Sequence, residues 1–257
     1  MNGQLILHSI NMVTRNLVQA LKVSLFPLAA FGLVAYIGLS GPSGEQLFND
    51  TVPSSGGGGV ILLAVALALG LVVITSWVPV LWHRFVLLEE YPSWVPPLHL
   101  PFVLSYIGKL FAISAILIAT LLAGGVVFAI LTLFLGGLVA ALGSVIEMAV
   151  IVVMYYLSLR FSLALTSAAI GKQMGVFDSY RLTEPHSRVI FQLAIMLGAI
   201  NVVVSLLLSP VFAINSQLGM VFEIPLQWAQ FMLGLALQTT IYGIIVEKRD
   251  LGESDAT

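Results

Sequence analysis

Long apolar stretches alternate with short polar breaks along this chain. One of them, VILLAVALALGLVVI (60–74), contains no polar side chain. A helix needs about 20 mostly apolar residues to cross the hydrocarbon core of a bilayer. Six segments reach or approach that length, at about 22–39, 60–82, 110–134, 144–167, 189–208 and 225–246. Strands of a membrane barrel would instead alternate over segments of about ten residues. The breaks have recognisable chemistry. SGPSG follows the first segment, Pro79 is placed to kink the second, Pro210 stops the fifth and Pro225 opens the sixth. Gly136-Gly137 and Gly143-Ser144 are the available breaks between the third and fourth. Ser144 to Glu147 reads SVIE, which fits a capping box and predicts a helix start at Ser144.

Ahead of the first segment the period changes. Ile6, Ile10, Val13, Leu17 and Leu21 recur at three- and four-residue steps, with His8, Asn11, Thr14, Arg15 and Gln19 between them. That pattern predicts an amphipathic helix over about 4–21, laid flat on the membrane surface. No cleavage pattern follows the first apolar stretch, so it is expected to be retained rather than removed as a signal peptide. The expected fold is all-α: a single membrane domain of six spans behind one interfacial helix, with 247–257 as a tail.

Composition strengthens this picture. The chain has 257 residues, of which 59% are hydrophobic and 9% charged, and its mean hydropathy is +1.06. Soluble domains carry about 25% charged residues. In hydrocarbon the backbone must satisfy its own hydrogen bonds, which leaves helices as the solution for such runs. The net charge of −2 gives no hint of nucleic acid. There is no cysteine, so disulfides and thiolate chemistry are excluded.

The charges also suggest an orientation. With the N-terminus inside, Arg15, Lys22, Arg84, Lys109, Arg160, Lys172, Arg181, Arg188, Lys248 and Arg249 all fall on the inner side, and these are all 10 basic residues. The outer loops, about 40–59, 135–143 and 209–224, hold none. The positive-inside rule then places both termini in the cytoplasm. Trp82, Tyr91, Trp94 and Tyr106 are expected as an aromatic belt at the inner interface. The glycine run at 56–59 lacks the Lys-Ser/Thr pair of a phosphate loop and is expected to be part of a flexible outer loop.

Candidate chemistry is sparse. LWHRFVLL (81–88) and LSLRFSLAL (157–165) both set Arg-Phe near the inner end of an out-to-in helix, which suggests a weak internal repeat relating Arg84 to Arg160. A headgroup anchor, with the side chain reaching lipid phosphate, is one role for these arginines. A fixed cation for an anionic ligand is another, and an ion pair with Glu89 or Glu90 a third. Glu147 is the acid inside a predicted span, either as a cap at the outer end or as a coupling acid nearer mid-depth. His83 is expected at the interface beside Trp82. No His pair has metal-ligand spacing, and no metal or cofactor is expected. In 171–189, Asp178 and Arg181 are placed to pair, Glu184-Pro185 suits a helix start, and Asp178, Arg181 and Arg188 form a candidate docking surface beside the simpler role of an interfacial turn. Gln192, Asn201, Gln230, Gln238, Thr239 and Thr240 are candidates for bonds between helices.

RNLVQALKVSLFP, WHRFVLLEE and RFSLALTSAAIGKQMGVFDSYRLTE resemble the YciC-like group of bacterial inner-membrane proteins. Related regions occur as the membrane part of some glycerophosphodiester phosphodiesterases. The strongest block runs from Arg160 to Thr183, although the proline expected near Thr166 is absent. The resemblance implies an integral membrane protein of about six helices and supplies no catalytic residue. The expected function is a non-enzymatic accessory, scaffold or lipid-interacting component of the inner membrane. Its expected partners are membrane lipids, including anionic headgroups, and a membrane protein or a second copy. A small permease using Glu147 or the two arginines is the competing expectation.

Overall fold

The computed structural model describes residues 2–40 and 57–249. Most of the predicted outer loop at 40–59 and most of the 247–257 tail lie outside the described residues. The described chain is helical, with eight α-helices and one 3-10 turn. They are α1 (Asn2–Arg15), α2 (Leu17–Leu39), α3 (Gly57–Leu88), α4 (Leu100–Ala141), α5 (Gly143–Ala169), α6 (Val176–Leu182), the turn Glu184–His186, α7 (Ser187–Ile214) and α8 (Ser216–Ile245). α2, α3, α4, α5, α7 and α8 are long and apolar enough to cross a membrane. This is a multi-pass membrane protein.

Several boundaries differ from expectation. The first span starts at Leu17, because the backbone leaves the helix at Asn16, whose side chain donates to the Met12 carbonyl at 2.9 Å. Residues 17–21 therefore belong to the spanning helix. Gly57–Gly59 open α3 instead of closing a loop. α3 runs through Pro79, as its expected span did, and α7 and α8 also run through Pro210 and Pro225, which were expected to stop one helix and open the next. A proline removes one ladder bond, and the surrounding apolar residues still need a helix in hydrocarbon. α8 starts at Asn215, whose side-chain oxygen accepts from the Leu218 N–H at 3.0 Å. Glu223 is thereby carried inside α8, so Glu147 is not the only acid on a spanning helix. Near the third-to-fourth break the backbone departs from helical angles at Leu135, beside the glycine pair, and at Leu142. α5 thus begins one residue before Ser144, with Leu142 as its N-cap. The Ser144 side chain lies outside the described residues.

The predicted face of α1 is rotated. Leu5, Ile6, Ser9 and Val13 are buried, while Ile10 and Leu17 are exposed. α1 lies against α8 and α7, and the Ser9 and Thr240 hydroxyls meet at 3.3 Å. Its buried residues pack on protein, while Leu7 and Ile10 remain exposed.

Packing is concentrated at one end. The buried side chains of α3 lie at 74–87, those of α4 at 103–113 and those of α5 at 159–169. Trp82 on α3 packs with Val23 of α2 and Met232 of α8. Leu163 and Leu193 pack against Ile241 and Tyr242. At the other end burial falls away, and residues 121–137 of α4 are exposed on every face. Between apolar helices in lipid there is no hydrophobic driving force, so contact forms where small residues and polar bonds favour it. Trp82 and Tyr106 therefore belong to the core, and only Tyr91 and Trp94 of the predicted belt are exposed.

Candidate functional site: two buried arginine clamps

At the packed end, α3 stops at Leu88 and Glu89 takes the left-handed backbone region, with φ of 56°. That bend returns Glu90 to the helix it has just left, and its N–H donates to the Arg84 carbonyl at 3.4 Å. Its carboxylate then grips Arg84 with both oxygens: Nε donates to Oε2 at 2.7 Å and Nη2 to Oε1 at 2.5 Å. Nη1 donates to the Ala169 carbonyl at the end of α5, at 3.3 Å. The guanidinium lies 4.2 Å from the centre of the Phe102 ring on α4. Arg84 thus ties together α3, α4 and α5 and is 8% exposed. Of the three roles open to it, the structure displays the ion pair with Glu90.

The end of α5 is shaped to receive this contact. The N–H of Lys172 donates to the Ser167 carbonyl at 2.8 Å and that of Gly171 to Ala168 at 3.2 Å. These are the two bonds of a Schellman stop. Gly171 has φ of +79°, and a Cβ there would stand 2.8 Å from the Phe102 ring. Glycine satisfies both the backbone angle and the close approach.

Arg160 forms the second clamp and is 2% exposed. Nε donates to Thr183 Oγ1 at 2.7 Å, Nη1 to the Tyr156 hydroxyl at 2.6 Å and Nη2 to the Tyr180 carbonyl at 2.6 Å. The Tyr180 ring centre lies 3.8 Å from the guanidinium carbon. Ser179 donates to the Arg160 carbonyl at 2.7 Å, fixing α6 beside α5. None of these partners is a carboxylate. The suggested repeat has a structural echo, since each arginine lies over an aromatic ring from the segment that follows it. The two clamps share no bonding partner, so Arg84 and Arg160 do not converge on one ligand.

His83 is fully buried within the protein, and its Nδ1 lies 2.8 Å from Thr239 Oγ1. The Thr239 hydroxyl has a carbonyl acceptor at Leu235, 2.8 Å away. Thr239 and Thr240 thus bond between helices as expected, to His83 and Ser9. Among the described residues no group of three His, Asp or Glu gathers in a way that could share a metal.

Glu147 is exposed near the start of α5 and forms no ion pair among the described residues. Asp178, Arg181 and Arg188 are all exposed. Asp178 does not pair with Arg181. Its Oδ2 accepts from the Gly175 N–H at 3.0 Å and so caps α6, because a helix start offers free N–H groups that a neighbouring cation cannot satisfy. Glu184-Pro185 does open a helical turn, which leads directly into α7.

Other bonds gather the connections at this same end. Glu247 pairs with Arg249 at 2.8 Å and Lys172 at 3.5 Å. Arg249 reaches the Leu87 carbonyl at 3.4 Å. The Lys22 ammonium lies 5.6 Å from the Trp94 ring centre. Thr183, Tyr180 and Phe102 escaped the sequence reading because nothing local marks them as partners of distant arginines. Tyr156 did carry a signal, standing one helical turn before Arg160. In comparisons with known proteins, no family model, no curated protein and no solved structure matches this chain.

Proposed function

We propose that this protein is a non-enzymatic, lipid-interacting accessory or scaffold component of the bacterial inner membrane, with both termini in the cytoplasm. One observation carries the proposal. The connections at one end are tied into a platform by Arg84 and Arg160, and the other described cations, such as Lys22, Lys172 and Arg249, surround it. A basic, well-packed end suits the negatively charged cytoplasmic leaflet. The YciC-like resemblance of 160–183 belongs to this proposal and rests on sequence motifs alone. The exposed length of α4 at 121–137 is the surface on which lipid, a membrane partner or a second copy would pack.

A permease using Glu147 is less well supported by this geometry, since Glu147 is exposed near a helix start and the two arginines are engaged separately. The test is lipid analysis of the full chain purified in mild detergent. Anionic phospholipid should be enriched in the protein fraction relative to the source membrane. Retained lipid with the same composition as the bulk would remove the lipid part of the proposal. Reconstituted ion flux that disappears in Glu147→Gln would replace it with transport.

A further inference from the structure

A shallow, open cleft with about 700 Å³ of accessible space lies between α4, α5 and α7, on the side of the bundle. Thr120, Leu157 and Phe191 form its largely apolar walls, and Tyr156, Ser187 and Arg188 supply its polar groups. Phe191 meets Tyr156 edge-on at 5.8 Å, which sets one wall.

Three features give this cleft a sign. Arg188 is exposed and makes no ion pair among the described residues. No acid lines the cleft. The Tyr156 hydroxyl accepts a hydrogen bond from the buried Arg160, which pairs with no carboxylate among the described residues. That hydroxyl keeps its own proton to donate, and the guanidinium behind it strengthens the donation. Arg188, Ser187 and Tyr156 together offer a cation and two hydroxyls, a donor set for phosphate oxygens. The smaller cleft beside Lys109 and Lys172 differs, because Glu247 already faces Lys172 at 3.5 Å.

The spanning helices on either side put lipid beside this cleft. Resting on the lipid-interacting function proposed above, we infer that the cleft between α4, α5 and α7 binds one anionic phospholipid. Its phosphate lies against Arg188, Ser187 and Tyr156, and an acyl chain lies along Leu157 and Phe191.

The test is native mass spectrometry of the full chain in detergent doped with phosphatidylglycerol or phosphatidylcholine. The wild type should retain one phosphatidylglycerol in clear preference to phosphatidylcholine. Removing one interfacial cation should cost about fivefold in affinity, which is the loss expected for Arg188→Gln. Tyr156→Phe should lose less, because one donor goes and the cation stays. Arg181→Gln, a cation outside the cleft, should bind as the wild type does. Preferential retention that ignores Arg188→Gln would overturn the cleft while leaving the broader lipid function standing. No preference for anionic lipid in any variant would sink both. Full displacement by millimolar inorganic phosphate, or a lipid-free dimer, would overturn the assignment to a lipid.

Discussion

Arg160 illustrates how a cation is kept inside an apolar protein without an acid. Three hydrogen bonds, each along a different guanidinium direction, replace the water that it loses. A bond to a charged group contributes about 1.5–3 kcal/mol. Lysine keeps the charge and cannot reproduce the fork. Arg160→Lys should therefore lower stability by about 3 kcal/mol, and Thr183→Val by about 1 kcal/mol, in thermal unfolding of the detergent-solubilised protein. Equal stability of Arg160→Lys and wild type would show that charge alone suffices. A second residue-scale effect belongs to His99. Its partial burial and the Arg84 charge hold the imidazole below its ordinary range, with Glu90 pulling the other way. The folded chain then binds this proton less readily than the unfolded chain. The His99 contribution is complete above the ordinary imidazole pKa and is lost as pH falls through that range. Between about pH 7.5 and 5, wild type should lose more thermal stability than His99→Asn. Parallel pH profiles would rule out this role.

At the scale of elements, helix ends matter more than helix interiors. Residues 60–74 of α3 and 121–131 of α4 are apolar on every face, so their sequence does not specify which side packs. The ends are specified by single residues. Asn215 starts α8, Gly171 stops α5, and the left-handed bend at Glu89 turns the chain after α3. Gly171 meets two demands at once, a positive φ and the nearby Phe102 ring. Gly171→Ala should cost about 1–3 kcal/mol and shift Phe102 away from Arg84. Thermal unfolding checks the first effect. For the second, adding Phe102→Leu should recover part of the loss, and an unchanged deficit would assign all of it to the backbone.

At the scale of the whole molecule, the two ends of the bundle differ in burial. At the packed end the α3–α4 connection runs over residues 89–99 and the α5–α6 connection over 170–175, both bonded to the helices beside them, whereas α4–α5 and α7–α8 turn at the single residues Leu142 and Asn215. The proposed orientation puts the packed end in the cytoplasm. Because the chain has no cysteine, single substitutions report cleanly on this. In intact cells a membrane-impermeant maleimide should label Gln217→Cys and spare Gln173→Cys. The reverse pattern would invert the topology and remove the electrostatic case for the cytoplasmic leaflet.

Six apolar helices and the turn at Glu184-Pro185 were legible from pattern alone, and the expected breaks at Gly136-Gly137 and Gly143-Ser144 fall within one or two residues of the non-helical backbone at Leu135 and Leu142. They follow from hydrophobic length and local backbone preference, which each segment carries by itself. The inward turn of Trp82, Tyr106 and His83 was not, because in an all-round apolar helix no period marks the buried face. The partners of the arginines were equally hidden. A guanidinium beside a glutamate in sequence reads the same whether it faces lipid or protein. Only folding α6 against α5, and Glu90 back against α3, decided that both arginines hold the protein together, leaving Arg188 as the open cation of the cleft beside them.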